Sequence, residues 1–153
     1  MSPQSFGSVA LRQAPCLQAD DLVGDAVQAV RGSGLPALPV LDGERLHGVF
    51  GEREFIAALF PGYVGELGSA GFVPRSMESV IEKRSSCRSE SIRKHTTTDH
   101  VDVDADYSDV QLAEIFLHHR VLIVPVLDGG RVVGVITRSD FFAELAQHFE
   151  AQA

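Results

Sequence analysis

The feature that most constrains the fold is an internal repeat. Residues 39–59 align without a gap with residues 125–145, and 11 of the 21 aligned positions are identical. The shared positions include Pro-Val-Leu-Asp-Gly at residues 39–43 and again at 125–129. Repetition on this scale is typical of a supersecondary unit that buries its apolar face against another copy. We therefore expect two similar units that share a core.

The second copy predicts a β-hairpin. Residues 121–127 are continuously apolar and rich in β-branched side chains, which favours a strand covered on both faces. Asp128-Gly129 follows, and residues 131–136 are again mostly apolar. An Asp-Gly pair between two such runs indicates a tight hairpin, because both turn positions favour positive φ. Residues 38–50 of the first copy give the same prediction.

Helices are predicted on both sides of each hairpin. Apolar residues at helical spacing follow the second hairpin, and another helix precedes it with Ser108 or Asp109 as its N-cap. A short strand is predicted at residues 101–104, where apolar and acidic residues alternate. Each unit therefore has the order strand–helix–strand–strand–helix. The predicted fold class is α/β (α+β), as a tandem repeat of such units.

The predicted boundaries place a first unit at residues 8–60 and a second at 95–150, with an extended helical connector at 61–94. Pro74-Arg75-Ser76 is expected to open a helix in this connector. The Ser-rich, locally basic run at 83–94 fits either a solvated surface or a phosphate-contacting patch.

Composition narrows the function classes. A net charge of −8 argues against a nucleic-acid partner, because that affinity depends on Lys and Arg neutralising phosphates. No apolar run is long enough to span a bilayer, and the first residues lack the pattern of a signal peptide. Cys16 and Cys87 are too few for a disulfide framework, so we expect reduced thiols and a cytoplasmic protein with no membrane contact.

Tandem units that carry Pro125-Val-Leu-Asp-Gly and then Gly134-Val-Ile-Thr-Arg-Ser-Asp140 resemble the CBS-domain family, and the pair resembles the Bateman module. The resemblance implies units related by pseudo-twofold symmetry, with two clefts between them. It also implies a regulatory role in which the clefts bind adenosine compounds such as AMP, ADP, ATP or S-adenosylmethionine. No cofactor would be required beyond this nucleotide ligand.

The residues suggest how the second unit would form such a site. Pro125 cannot donate to a ladder, so we expect a strand broken there, with backbone groups of Val124 free to contact an adenine edge. By resemblance, Asp140 would accept from the ribose hydroxyls, and the segment from Thr98 to Val101 would line the cleft. Thr137 and Arg138 would contact ribose or phosphate at a helix N-terminus. Thr137-x-x-Asp140 is also an acceptable helix cap, and the two interpretations are compatible. The predicted ligand-binding residues are Thr98, Val101, Val124, Pro125, Thr137, Arg138 and Asp140.

The first unit departs from this pattern. Gly51-Glu52-Arg53-Glu54 stands where the second unit has Thr137-Arg138-Ser139-Asp140, so a hydroxyl is lost and the carboxylate is one methylene longer. A weaker first site is therefore predicted at Leu38, Pro39 and Glu54, and we expect the two clefts to be unequal.

Three function classes remain at this point. The leading hypothesis is a stand-alone ligand-sensing module that signals through a protein partner or its oligomeric state, since no catalytic domain accompanies the units. We expect a homodimer whose contacts include the apolar residues of the connector. The alternative is a structural interaction protein with degenerate, non-binding clefts. An enzyme is disfavoured, because His118 and His119 point about 100° apart on a helix and His95 and His100 lack partners at metal-ligand spacing.

Overall fold

The computed structural model describes Phe6, residues 10–60 and residues 76–152. Each unit contributes one three-stranded sheet, and the predicted α+β architecture with two pseudo-twofold-related units is confirmed. Five of the apolar connector residues expected to contribute homodimer contacts lie outside the described residues: Tyr63, Val64, Leu67, Phe72 and Val73.

The first unit follows the predicted order of elements. Its β2 strand is central in the sheet, parallel to β1 and antiparallel to β3. Helix α1 ends where Gly34 adopts a left-handed conformation, with φ of 73°. The elements are β1 (Leu17–Gln18), α1 (Val23–Ser33), β2 (Ala37–Asp42), β3 (Arg45–Gly51) and α2 (Glu52–Leu59).

The second unit repeats this topology, with β5 central between β4 and β6. Ser108 caps its first helix by accepting a hydrogen bond from the Gln111 N–H at 3.1 Å, in agreement with one of the two predicted caps. The elements are β4 (Val103–Asp104), α4 (Asp109–His118), β5 (Ile123–Asp128), β6 (Arg131–Thr137) and α5 (Arg138–Ala151).

Both hairpins form, but their turns lie one residue later than predicted. Asp42 pairs with Arg45 and Asp128 with Arg131, so each aspartate ends a strand and the turns are Gly43-Glu44 and Gly129-Gly130. Gly129 and Gly130 both have positive φ, whereas only Gly43 does in the first turn. Positive φ at both positions fits a type I′ turn, and at the first position alone a type II′ turn.

The two units share a core. Ile123 and Val135 of the second unit belong to the buried cluster of the first unit, around Leu38, Val40 and Phe50. Strand β2 contacts β5, and β3 contacts β6. The apolar faces of both sheets therefore meet between the units, as a pair of half-covered repeats requires.

The described part of the connector packs on the first unit. Ser76 caps helix α3 (Met77–Arg84), and two 3₁₀ helices follow at Ser85–Ser89 and Ile92–Lys94. Val80 is buried in the core of the first unit, and the Arg84 guanidinium donates to the Ala58 carbonyl oxygen at 3.0 Å. The connector therefore covers part of the face formed by α1 and α2.

Apolar side chains remain exposed on the corresponding face of the second unit. They lie on α4 and α5 and include Val110, Leu117, Phe142, Leu145 and Phe149. Among the described helices, none is long and apolar enough to cross a membrane.

Candidate functional site

The segments that lead into the two units are exchanged between them. Arg12 lies at the start of the first unit, before β1, but bonds through its backbone to Val135 of β6, with both N–H···O distances at 2.9 Å. Thr97 lies at the start of the second unit, before β4, but bonds in the same way to Val49 of β3, at 3.0 Å. Each leading segment thus extends the sheet of the other unit and forms one side of a cleft between the units.

Two glycines of the repeat permit this exchange. A Cβ atom at Gly48 would lie 2.2 Å from the Thr97 carbonyl oxygen, and one at Gly134 would lie 2.6 Å from that of Arg12. Real Cβ atoms do not approach an oxygen so closely, so the leading segments fit only because both positions lack a side chain.

One cleft, which we call the Asp140 cleft, has a volume of about 550 Å³. It lies between the end of α1, the start of α5 and the first leading segment. Apolar residues and four charged residues line it: Arg12, Val30, Arg31, Gly34, Leu35, Pro36, Glu52, Leu122, Thr137, Ser139 and Asp140.

Asp140 is held at the mouth of this cleft by two groups. Its backbone N–H donates to the Thr137 hydroxyl at 3.0 Å, so Thr137 is the N-cap of α5 and the capping interpretation holds in the structure. Its carboxylate faces Arg12, whose Nη2 donates to Oδ1 at 2.9 Å and whose Nε lies 2.6 Å from Oδ2. Oδ1 therefore has a hydrogen-bond partner, whereas the buried Oδ2 accepts no hydrogen bond from the described residues.

The other cleft, which we call the Glu54 cleft, has a volume of about 350 Å³. Its lining includes Arg53 and Glu54, residues 119–123, and four residues of the leading segment: Thr97, Asp99, His100 and Val101. Glu54 is only 8% exposed, and it bends back so that Oε1 accepts from the Gly51 N–H at 2.9 Å. Its Oε2 accepts from the Thr97 hydroxyl at 2.7 Å. Both carboxylate oxygens are therefore engaged within the protein.

These contacts show why Gly51 stands where the second unit has Thr137. A Cβ atom at Gly51 would lie 2.2 Å from the Pro36 carbonyl oxygen. The missing hydroxyl cap is replaced by the Glu54 side chain, which reaches back to the Gly51 N–H. The longer carboxylate of the first unit thus serves its own helix.

The strand residues predicted to contact adenine are buried instead. Pro39 and Pro125 are fully buried, as are Leu38 and Val124. The expectation of a strand broken at Pro125 is wrong, because β5 runs through it and Pro125 pairs with Val135. Both backbone groups of Val135 bond to Arg12, so Pro125 and Val135 exchange no ladder hydrogen bonds. A proline at position 125 therefore removes no hydrogen bond from the hairpin.

The alternation of an antiparallel ladder then makes Val124 and Ile136 the hydrogen-bonded pair. The backbone groups of Val124 are therefore used by β6 and are not free for a ligand. Ile123, one residue earlier, does line the Glu54 cleft.

The other predicted residues are divided between the clefts. Val101 lines the Glu54 cleft, together with Thr97, Asp99 and His100, whereas Thr98 is exposed and only its carbonyl oxygen contacts His100. Arg138 is exposed on α5 and does not line either cleft. Of the seven residues predicted for one site, only Thr137 and Asp140 meet in the Asp140 cleft.

Two basic residues of the Asp140 cleft were not found from the sequence. Arg31 lies in the last turn of α1, and Arg12 lies before the first repeat begins. Leu17 follows Arg12 by five positions, whereas Val103 follows Thr97 by six, so a gap-free alignment does not pair Arg12 with Thr97.

Two carboxylates with lowered pKa values, Asp42 of β2 and Glu90 of the connector, pair with basic residues of the connector. The Arg93 guanidinium donates to Asp42 and Asp20, which lowers the pKa of Asp42. The hydrogen bond from His95, at 2.9 Å, and the neighbouring Lys94 lower the pKa of Glu90. These pairs fix the second 3₁₀ helix against the first unit.

The histidines and cysteines form no metal site among the described residues. His95 bonds to Glu90, and His100 lies 2.9 Å from Asp102. Cys16 and Cys87 are both free, and burial raises the pKa of the Cys16 thiol.

Comparison with known proteins identifies the family. The CBS domain profile matches residues 7–61 and 92–147, so the chain belongs to the CBS domain family and contains two repeats. The match indicates no catalytic family, and the chain is a CBS-pair protein of the regulatory type.

Relatives and solved structures agree with this assignment. Hypoxic response protein 1 of Mycobacterium tuberculosis is 27% identical over 135 residues, which cover 87% of this chain and 79% of that protein. A CBS domain-containing protein of unknown function from Kribbella flavida shares the fold with a TM-score of 0.68, at 23% identity over 94% of this chain and 99% of its own. The CBS domain of a membrane protein from Sphaerobacter thermophilus has a TM-score of 0.69, at 18% identity over 91% and 86%.

Proposed function

We propose that this CBS pair binds an adenosine nucleotide in the Asp140 cleft, and that ligand binding changes its interaction with a protein partner or its own oligomeric state. The observation that carries the proposal is the geometry of the Asp140 carboxylate. Its Oδ1 accepts a hydrogen bond from Arg12 Nη2 at 2.9 Å, whereas its buried Oδ2 lies 2.6 Å from Arg12 Nε and accepts no hydrogen bond within the described part of the chain. The carboxylate therefore faces a pair of neighbouring N–H groups. The 2′- and 3′-hydroxyls of a ribose present a similar pair of neighbouring donors.

The remainder of the cleft suits the same ligand. Leu35, Pro36 and Leu122 offer apolar surface for a base, and Arg31 adds a positive charge. The volume of about 550 Å³ lies within the range of small-molecule sites. The N-terminus of α5, capped by Thr137, adds partial positive charge beside the carboxylate.

We expect the two clefts to bind unequally. The Glu54 cleft is smaller, and a ligand there would compete with the bonds from Gly51 and Thr97 to the Glu54 carboxylate. One nucleotide per chain is therefore the expected stoichiometry.

The proposed oligomer is a homodimer through the exposed face of α4 and α5. The equivalent face of the first unit is partly covered by α3, whereas Leu117, Phe142 and Phe149 stay exposed. An apolar patch of this kind usually marks an interface, and closed twofold pairing is the commonest arrangement. Met77 and Ile81 of the connector are also half exposed, but they lie on α3, which packs on the first unit.

Calorimetric titration with AMP, ATP and S-adenosylmethionine tests the proposal. Asp140→Asn should weaken nucleotide binding about tenfold or more, since a hydrogen bond to a charged acceptor contributes about 1.5–3 kcal/mol. Glu54→Gln is the matched control at the pseudo-equivalent position and should leave the affinity nearly unchanged. Melting temperatures of both variants without ligand separate a lost contact from a damaged fold.

One observation favours the alternative, a structural interaction protein with non-binding clefts. Arg12 already pairs with the Asp140 carboxylate, and a cleft that binds no ligand would need such an internal partner for a partly buried charge. If millimolar nucleotide neither releases heat nor raises the melting temperature, the clefts are structural and the sensing proposal is wrong.

A further inference from the structure

Arg12 occupies the position in one cleft that Thr97 occupies in the other. Both residues bond through their backbones to the middle of a β-strand of the opposite unit, Val135 or Val49. Both direct their side chains to the carboxylate at the start of the following helix, Asp140 or Glu54. The equivalent contacts differ in chemistry, because one is a neutral hydroxyl bond and the other is an ion pair.

The ion pair blocks the group that would hold a ribose. The Arg12 guanidinium lies in front of both carboxylate oxygens, with Nη2 donating to Oδ1 at 2.9 Å and Nε 2.6 Å from Oδ2, so two ribose hydroxyls cannot approach from the same direction. The Arg12 side chain is 50% exposed, so it can turn toward solvent while its backbone stays in the sheet. Ligand entry therefore requires release of the guanidinium.

We propose that Arg12 sets the specificity of the Asp140 cleft for phosphorylated ligands: it holds Asp140 in the empty cleft and pairs with ligand phosphate once ribose has displaced it. The inference rests on the proposed function and adds a ligand class to it. A nucleoside breaks the ion pair and leaves a guanidinium without an anion. A nucleotide breaks the same ion pair and supplies a phosphate that a guanidinium binds with two parallel hydrogen bonds.

The charges that line the cleft support this selectivity. Arg12, Arg31, Glu52 and Asp140 balance one another in the empty cleft. Among the described residues, Arg31 makes no ion pair, so displacement of Arg12 would leave two guanidinium groups beside the bound ligand. A phosphate can pair with these guanidinium groups, whereas an uncharged nucleoside cannot.

The test is a comparison of adenosine and AMP binding to the wild type and to Arg12→Gln. Glutamine keeps the backbone contact with Val135 but lacks the charge. AMP affinity should fall about tenfold, whereas adenosine affinity should rise about three- to fivefold because Asp140 no longer has a competing partner. Arg131→Gln is the matched control, because Arg131 also makes an interunit ion pair, with Glu44 at 3.6 Å, far from the cleft lining.

A second readout follows the guanidinium itself. The NMR signal of the Arg12 Nε–H should shift on addition of AMP, to a position distinct from that of the empty protein and of the adenosine complex. Equal losses of adenosine and AMP affinity in Arg12→Gln, or no change in either, would overturn the role of Arg12 while leaving nucleotide binding intact. Failure of the wild type and of Arg12→Gln to bind either compound at millimolar concentration would overturn the proposed function, and this inference with it.

Discussion

Gly48→Ala should be among the most damaging small substitutions in this chain. The added Cβ atom would lie 2.2 Å from the Thr97 carbonyl oxygen and 2.7 Å from Thr96 Cγ2. The first of these is backbone, which cannot rotate away, so the leading segment must move off β3. That movement breaks the paired hydrogen bonds between Val49 and Thr97, both at 3.0 Å.

The expected cost follows from these contacts. Two backbone hydrogen bonds contribute about 0.5–1.5 kcal/mol each, and overpacking adds about 1–3 kcal/mol. A loss of about 2–6 kcal/mol is therefore expected, which for a chain of this size lowers the melting temperature by roughly 4–24 °C.

Calorimetric melting measures this effect, and Gly32→Ala provides the control. Gly32 lies on α1, and a Cβ atom there would meet nothing within 4 Å. The control should leave stability unchanged or raise it by up to about 1 kcal/mol, since alanine favours a helix. Gly134→Ala, with its 2.6 Å approach to the Arg12 carbonyl oxygen, should be damaging in the same way as Gly48→Ala. A Gly48→Ala protein that melts within 1 °C of the wild type would refute the exchange of leading segments.

Three further outcomes are expected. Phe142→Ser with Phe149→Ser should give a monomer by light scattering, whereas Ile81→Ser should not; a wild-type monomer at tens of micromolar would end the dimer proposal. Calorimetry should give one nucleotide per chain, and two equal sites would contradict the unequal clefts. Since the pKa of Glu90 is lowered in the folded state, its contribution is present above its unfolded pKa and lost as pH falls through the folded value. Glu90→Gln should therefore lower the free energy of unfolding by up to about 1 kcal/mol at pH 7, measured by urea denaturation. The difference from the wild type should disappear below about pH 4. A constant difference across that range would show that the pairing of Glu90 with His95 is not responsible.

The architecture could be predicted because the repeat carries it in local patterns. The apolar runs, the Gly-containing turns and the Ser108 cap depend on residues close together in the chain, where spacing is informative. The turns moved by one residue because Asp42 and Asp128 still pair across the hairpin. The continuous path of β5 through Pro125 could not be predicted. A strand tolerates proline where the opposite residue, here Val135, makes its backbone hydrogen bonds to a different segment, and the sequence does not show which segment that is.

The site was harder to predict because its parts come from both units. Arg12 and Asp140 are separated by 128 positions, and no periodicity links them. One signal was nevertheless present, since a glycine within a strand often marks the close approach of another backbone. Gly48 and Gly134 occupy the same place in the two copies, and each faces the leading segment of the opposite unit. Had those glycines been taken as contact points, the segments before each repeat would have been assigned to the opposite clefts, and Arg12 would have been placed beside Asp140.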